Sequence, residues 1–171
     1  TNRPDLLDPS LLRPGRLDSC LYLGISSDHT DRMKMLRAVL RKVPLHQSIP
    51  SYFDNILTRL PATFSGADFS SFASNTLMYA VKRKISMIQA QYDAYKSNVK
   101  IRESGSLRTI GGNRPTRIKS LSEFISHLKR SELHFEVNVQ DVDFAIEKAK
   151  PSISQFDILK YEKIKKEFSP M

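Results

Sequence analysis

Apolar residues recur along most of the chain at the three- and four-residue spacing of an amphipathic helix. This spacing predicts one helix over residues 28–43. It predicts a second, longer helix that begins at Ser65, where SGAD approximates a capping box, and continues toward Gln91. Shorter helices are predicted, in chain order, at 121–128, 139–149 and 154–168. The pattern therefore predicts a mainly helical chain.

The first 25 residues have a different pattern. The Asp-Pro pair at 8–9 predicts a helix start, and the Pro-Gly pair at 14–15 ends that helix after about a turn and a half. Arg13 then lies at the end of a short stiff element and Arg16 just past it, both projecting from the body. The mostly apolar run CLYLGI at 20–25 predicts one short buried strand.

Composition limits the classes of protein. With 171 residues and 40% hydrophobic residues the chain is globular, and no apolar run reaches the roughly 18 to 20 residues of a membrane span, so a soluble chain is predicted. Between Lys82 and Arg130 there are twelve Lys or Arg against three Asp or Glu, which equals the whole net charge of +9. The middle of that segment, at about 95–120, has little apolar periodicity and predicts a flexible basic insertion, with no specific nucleic-acid partner.

Catalytic and metal motifs are incomplete. The four histidines and the single cysteine, Cys20, lack the spacing of metal ligands, so no metal site is predicted. The Gly-Gly-Asn at 111–113 lacks the lysine and hydroxyl residue of a phosphate-binding loop. No Ser-His-Asp arrangement is present in a recognisable order. The chain alone is therefore predicted to have no complete catalytic site.

Three blocks carry a family resemblance. TNRPDLLDPSLLRPGRLD at 1–18 resembles the second region of homology of the AAA+ ATPases of the classical clade, with Ser10 and Leu17 as departures. SGADF at 65–69 resembles the block that opens a lid helix in that clade, and PSISQFDILKYEKIKKEF at 151–168 is similar to the clade's C-terminal helix. The blocks occur in the family's order and cover most of the chain outside the insertion.

The resemblance implies roles for six residues. Arg13 and Arg16 match the arginine fingers, which act in trans on the nucleotide of the neighbouring subunit, and Asn2 matches the sensor-1 asparagine that helps to place the attacking water. Gly66 and Ala67 match lid residues that lie against the nucleotide. Val39 falls near an adenine-facing position.

Each of these roles has a structural alternative. Both arginines could instead form salt bridges with the nearby acids Asp5, Asp8 or Asp18. The asparagine could be an ordinary turn residue, the Gly-Ala pair only a helix start, and Val39 a core residue.

The resemblance also implies the domain organisation and the cofactor. Residues 1–27 would be the C-terminal edge of the AAA+ α/β core, with one strand, and residues 28–171 the helical lid, with the insertion at about 95–120 and the C-terminal helix at about 154–168. The ATP-binding loop and the acids that hold Mg²⁺ are expected to precede Thr1. The chain by itself is then expected to bind no cofactor and to be inactive, whereas the full-length protein is expected to be an ATPase.

Within the clade, LYLGI at 21–25, RAVLRKVPL at 37–45 and the insertion look most like the second ATPase domain of a peroxisome-biogenesis member, although Ser19 departs from the basic residue usual there. This implies a hexamer with a sister peroxisomal ATPase, a membrane-anchored adaptor and a protein substrate, the import receptor. The location implied is the cytoplasm, peripherally at the peroxisomal membrane. The alternatives are an unfoldase like valosin-containing protein and a non-catalytic assembly module.

Overall fold

A computed structural model describes residues 3, 6–17, 21–26, 28–104, 118 and 120–168, with the backbone alone at 100–104, 167 and 168. The described residues form seven α-helices. In chain order these are α1 (His29–Leu40), α2 (Phe53–Arg59), α3 (Gly66–Ser104), α4 (Leu121–His127), α5 (Arg130–Leu133), α6 (Val139–Glu147) and α7 (Gln155–Phe168). The prediction of a mainly helical chain is confirmed.

Local capping explains where several helices begin. The carboxylate of Asp28 accepts hydrogen bonds from the backbone N–H groups of Thr30 and Asp31, at 3.1 and 3.3 Å, so α1 starts one residue later. Asn138 and Asp141 form a reciprocal capping box at the start of α6. These side chains satisfy backbone donors that have no partner inside the helix.

The core lies where α1, α2, α3 and α6 meet. Leu36 of α1, Ile56 of α2 and Phe69 of α3 are fully buried there, and Val142 of α6 is 1% exposed. Phe64 packs its ring edge-on against Phe69, with 5.6 Å between the ring centroids. Burial of these side chains holds the start of α3 against α1, α2 and α6.

The long helix α3 differs from the sequence prediction. The predicted helix ends near Gln91 and a flexible insertion follows, but α3 continues through Ser104. The reason is aromatic packing, because the rings of Tyr92 and Tyr95 lie 5.4 and 5.9 Å from that of Phe124 on α4. The rest of the predicted insertion, apart from residues 118 and 120, lies outside the described residues.

The N-terminal segment also differs from its prediction. Residues 8–17 form successive turns in place of a short helix, and the described part of the predicted strand, 21–25, does not form a strand. A strand needs a neighbouring strand for its backbone hydrogen bonds. The only strand-like pairing among the described residues is an isolated parallel bridge between Leu45 and Val137. Leu21 and Leu23, which a buried strand would cover, are 84% and 86% exposed.

Candidate functional site

The arginine corner is a tight backbone structure closed by one glycine. Leu11 donates its backbone N–H to the carbonyl of Asp8 at 2.9 Å, and Arg16 donates to the carbonyl of Arg13 at 3.1 Å. Gly15, between the two arginines, has a φ of +84°. Residues with a Cβ atom rarely adopt that backbone conformation, so the turn requires glycine at this position. Both arginine side chains are exposed on the resulting corner.

The guanidinium group of Arg16 contacts the backbone of its own corner. Its Nη1 donates a hydrogen bond to the carbonyl oxygen of Ser10 at 3.0 Å. In a continuous helix that carbonyl would accept from residue 14, but Pro14 has no N–H group. The carbonyl is therefore available to the arginine. This partner is neutral, so the hydrogen bond does not neutralise the positive charge of the guanidinium.

Of the three acids that could form a salt bridge with Arg13 or Arg16, Asp8 is among the described residues. The carboxylate of Asp8 accepts the backbone N–H of Ser10 at 2.8 Å, and hydrogen bonding from Ser10 lowers the pKa of that carboxyl group. Within the described part of the chain neither Arg13 nor Arg16 forms an ion pair with it. Asp5 and Asp18 lie outside the described residues, as does Asn2.

The start of α3 presents an open surface. Gly66 and Ala67 are both exposed, and a Cβ atom added at Gly66 would have no atom within 4 Å. The first backbone N–H groups of a helix carry partial positive charge and lack partners within the helix. Small side chains at this point leave those groups accessible to a ligand.

A buried carboxylate organises this helix start. Asp68, 7% exposed, accepts hydrogen bonds from the backbone N–H and the hydroxyl of Ser65, both at 2.8 Å, and from the backbone N–H of Ser152 at 3.1 Å. Burial acts to raise the pKa of Asp68, but the hydrogen bonds from Ser65 and Ser152 outweigh it and the pKa is lowered. The carboxylate is therefore charged in the folded chain.

The bond between Asp68 and Ser152 is not predicted by the sequence. The SGAD motif predicts a capping box, and that box is present. Asp68 accepts hydrogen bonds from Ser65, and the backbone N–H of Asp68 donates to the Ser65 hydroxyl at 3.2 Å. The same Ser-x-x-Asp spacing occurs at Ser154 and Asp157, where it caps α7. No signal in the sequence could show that only the first of these aspartates also reaches another part of the chain.

The remaining candidate, Val39, is half buried and packs against the apolar core, which is the structural alternative given for it above. Among the described residues, no hydrogen bond or ion pair joins Arg13 or Arg16 to Gly66 or Ala67.

Further features limit the chemistry. In the described ranges no three His, Cys, Asp or Glu side chains group so as to hold a metal ion. None of the described helices is both long enough and apolar enough to cross a bilayer. A cavity of about 140 Å³ lies beside Asp68, bordered by Phe72, Asn75 and Lys148. That volume is well below the roughly 300 Å³ at which small-molecule pockets begin.

Comparison with known proteins gives the class first. The family described as "Vps4 C terminal oligomerisation domain" matches residues 125–168, which include α4 through α7 apart from the first residues of α4. A C-terminal domain of this kind agrees with the mainly helical fold. The resemblance to the classical AAA+ ATPases is thereby confirmed.

Three individual known proteins that are similar to the chain are all of one kind, the peroxisomal ATPase PEX6. The peroxisomal ATPase PEX6 of Colletotrichum orbiculare is 36% identical over 168 residues, which are 98% of this chain and 11% of that protein. PEX6 of Yarrowia lipolytica is 34% identical over 98% of this chain and 15% of that protein. For pex6 of Schizosaccharomyces pombe the identity is 32%, over 99% of this chain and 16% of that protein. The narrower resemblance, to peroxisome biogenesis factor six, is confirmed as well, and the chain spans less than a fifth of the length of these relatives.

Proposed function

We propose that this chain is the C-terminal part of an ATPase module, and that its Arg13 and Arg16 act on ATP held by the neighbouring subunit of a hexamer. The observation that carries the proposal is the corner itself. Two guanidinium groups are exposed on a turn closed by Gly15, and the described contact of Arg16 is with a neutral carbonyl. Their charge is thus available to an anion.

The chemistry of phosphoryl transfer requires such charge. Negative charge on the γ-phosphate oxygens must be stabilised in the transition state, and a guanidinium group supplies a permanent positive charge with two parallel donors. A phosphate oxygen would replace the carbonyl of Ser10 as the partner of Arg16, because phosphate carries a negative charge and can accept two parallel N–H bonds, whereas the carbonyl is neutral and accepts one. Arginines that act across a subunit boundary in related reactions contribute roughly 10³ to 10⁵ in rate.

Three further residues take supporting roles in this proposal. Gly66 and Ala67 form the lid surface that lies against the nucleotide, supported by their exposure at the start of α3. Asn2 places the attacking water, by its position in the family motif. Val39 is the weakest of the proposed contacts, since its side chain is half buried in the core.

The rest of the module is proposed to lie upstream. Residues 1–27 then form the edge of the α/β core, and residues 20–25 pair there as its strand, which would cover the exposed Leu21 and Leu23. The ATP-binding loop and the acids that hold Mg²⁺ belong to that core. The 171-residue chain alone then has no hydrolytic activity.

The full-length protein is proposed to couple ATP hydrolysis to extraction of the peroxisomal import receptor, in a ring with a sister ATPase. It would be cytoplasmic, bound peripherally to the peroxisomal membrane through a membrane-anchored adaptor. The names of the relatives, all peroxisomal ATPases, favour this function over that of an unfoldase like valosin-containing protein. They give no support to a specific nucleic-acid partner.

The second candidate function is a non-catalytic assembly module. The family match at 125–168 favours it, since that domain is described as one of oligomerisation. Phe156 and Leu159, one turn apart on α7, are 76% and 59% exposed, which suits contact with another subunit. In this case the arginines would stabilise the ring and play no part in hydrolysis.

Substitution of Arg16 in the full-length protein separates the two functions. Arg16→Ala is expected to abolish ATP turnover while nucleotide binding and ring assembly persist, and Arg41→Ala, at the exposed end of α1, is the matched control. Turnover at the wild-type rate in an assembled Arg16→Ala ring would contradict the proposed function. Loss of assembly together with turnover would favour the assembly module.

A further inference from the structure

The carboxylate of Asp68 touches two parts of the chain with its two oxygens. Its Oδ2 accepts the backbone N–H and the hydroxyl of Ser65 and so fixes the turn that leads into Gly66 and Ala67. Its Oδ1 accepts the backbone N–H of Ser152, 84 residues further along. A single buried charge therefore belongs to both segments.

The bond to Ser152 matters because α7 is not closely packed against any other helix of the described fold. The closely packed helix pairs of the described fold join α1, α2, α3, α4 and α6, and α7 is in none of them. Ser152 lies in the short segment between α6 and α7, two residues before the cap of α7 at Ser154. A hydrogen bond from this segment to a charged, buried acceptor is strong for a single contact, so it holds the segment that leads into α7 against the start of α3.

We propose that Asp68 is a positioning residue that couples the nucleotide-facing start of α3 to the C-terminal helix α7. The proposal rests on the function proposed above for Gly66 and Ala67. A nucleotide seated against those residues shifts or stiffens the turn at Ser65, and the Asp68 carboxylate carries this change to Ser152 and the start of α7. The adjacent cavity of about 140 Å³ is bordered by Asp68 and by residues 148–150, which lead to Ser152.

The experiment measures amide hydrogen exchange of α7 in the full-length protein, with and without Mg²⁺ and the non-hydrolysable analogue AMP-PNP. Asp68→Asn replaces the oxygen that faces Ser152 or the one that faces Ser65 by a donor, so one of the two attachments is lost. Ser152→Pro removes the donor N–H, and with it the serine hydroxyl, and fixes φ at this residue, but it leaves the box between Ser65 and Asp68 intact.

The chain supplies matched controls for both variants. Ser152→Ala changes the side chain but keeps the N–H group. Asp157→Asn alters the same kind of capping box, built with Ser154, but Asp157 makes no described hydrogen bond beyond that box. A role confined to helix capping would affect Asp68 and Asp157 alike.

In the wild type, AMP-PNP is expected to slow exchange in α7 by about tenfold, the change that one hydrogen bond to a charged group makes in a local opening equilibrium. Asp68→Asn and Ser152→Pro should lose this response, whereas Ser152→Ala and Asp157→Asn should keep it. The proposal is overturned if the wild type shows no response, if Ser152→Pro keeps it, or if Asp157→Asn loses it equally. Should Asp68→Asn fail to fold, Ser152→Pro decides.

Failure of this proposal can be distinguished from failure of the function proposed for Arg16. Arg16→Ala is expected to lose turnover but to bind nucleotide, so its α7 response should remain. A ring that hydrolyses ATP without any α7 response would remove the coupling and leave the ATPase function standing. A normal α7 response together with unchanged turnover in Arg16→Ala would contradict the role proposed for Arg16 and leave the coupling through Asp68 standing.

Discussion

The carboxylate of Asp68 and the backbone N–H of Ser152 lie 3.1 Å apart and form a hydrogen bond. Asp68 belongs to the SGADF block and Ser152 to the PSIS block, two of the three segments that carry the family resemblance. The fold brings these blocks together although more than eighty residues separate them. Sequence blocks that look independent therefore form one structural unit at the start of α3.

The hydrogen bonds that Asp68 accepts, from Ser65 first and then from Ser152, make the stability of the chain depend on pH. The pKa of Asp68 is lowered in the folded chain, so the unfolded chain binds a proton at a higher pH than the folded one. The stabilisation is complete above the ordinary aspartate pKa of about 3.9 and is lost as the pH falls below it. We expect urea unfolding to show a gap between wild type and Asp68→Asn that is constant near neutrality and shrinks below about pH 4. A gap that does not change on acidification would contradict this.

The second prediction concerns the hydrogen bonds of a buried arginine, Arg32. Arg32 of α1, 6% exposed, donates to the carbonyls of Leu60, Pro61 and Ala62 at 3.3, 3.0 and 2.8 Å, just after α2 ends. Burial lowers the pKa of Arg32, because it disfavours the charged guanidinium. The three carbonyl oxygens stabilise that buried charge. Arg32→Lys cannot reproduce the planar fork and should cost about 1–3 kcal/mol in free energy of unfolding.

The control for that variant is Arg37→Lys, an exposed position on the same helix. Equilibrium unfolding in urea gives both free energies. Equal stabilities for the two variants would show that the three carbonyl contacts contribute nothing specific to arginine.

An ion pair between α3 and α6 makes a third prediction. Arg83 donates from Nε and Nη2 to the two carboxylate oxygens of Asp141, at 3.0 and 2.8 Å, and the Asp141 side chain is 3% exposed. This hydrogen bonding raises the pKa of Arg83. Asp141→Asn should lower the free energy of unfolding by about 1–3 kcal/mol, since it weakens the pair and leaves a donor facing the guanidinium. Glu147→Gln, exposed on the same helix, should change it little.

The sequence predicted those parts of the fold that local interactions determine. Asp28 and Ser154 cap helices through neighbours within three residues, and α1 and α7 start within a residue of where the pattern placed them. The short helix α2 was missed because it has seven residues and depends on burial of Phe53, Ile56 and Leu57 in the core. Its stability comes from distant contacts that no local pattern shows.

The same reasoning applies to the end of α3 and to the site. The extension of α3 past Gln91 depends on Phe124, more than thirty residues away, and the missing strand at 21–25 depends on partners absent from the described fold. The arginine corner was visible in the sequence because its motif is continuous. The contact of Arg16 with Ser10 was not, since it arises from the fold of the turn.

The most direct test of the trans-acting arginines is a structure of the assembled full-length protein with AMP-PNP and Mg²⁺. The quantity to measure is the distance from the guanidinium nitrogens of Arg13 and Arg16 to the nearest γ-phosphate oxygen. We expect at least one of these distances to be about 3 Å, to a nucleotide bound by the adjacent subunit, with Arg16 released from the carbonyl of Ser10. Both guanidinium groups beyond hydrogen-bond reach of any nucleotide, with Arg16 still on Ser10, would contradict the account.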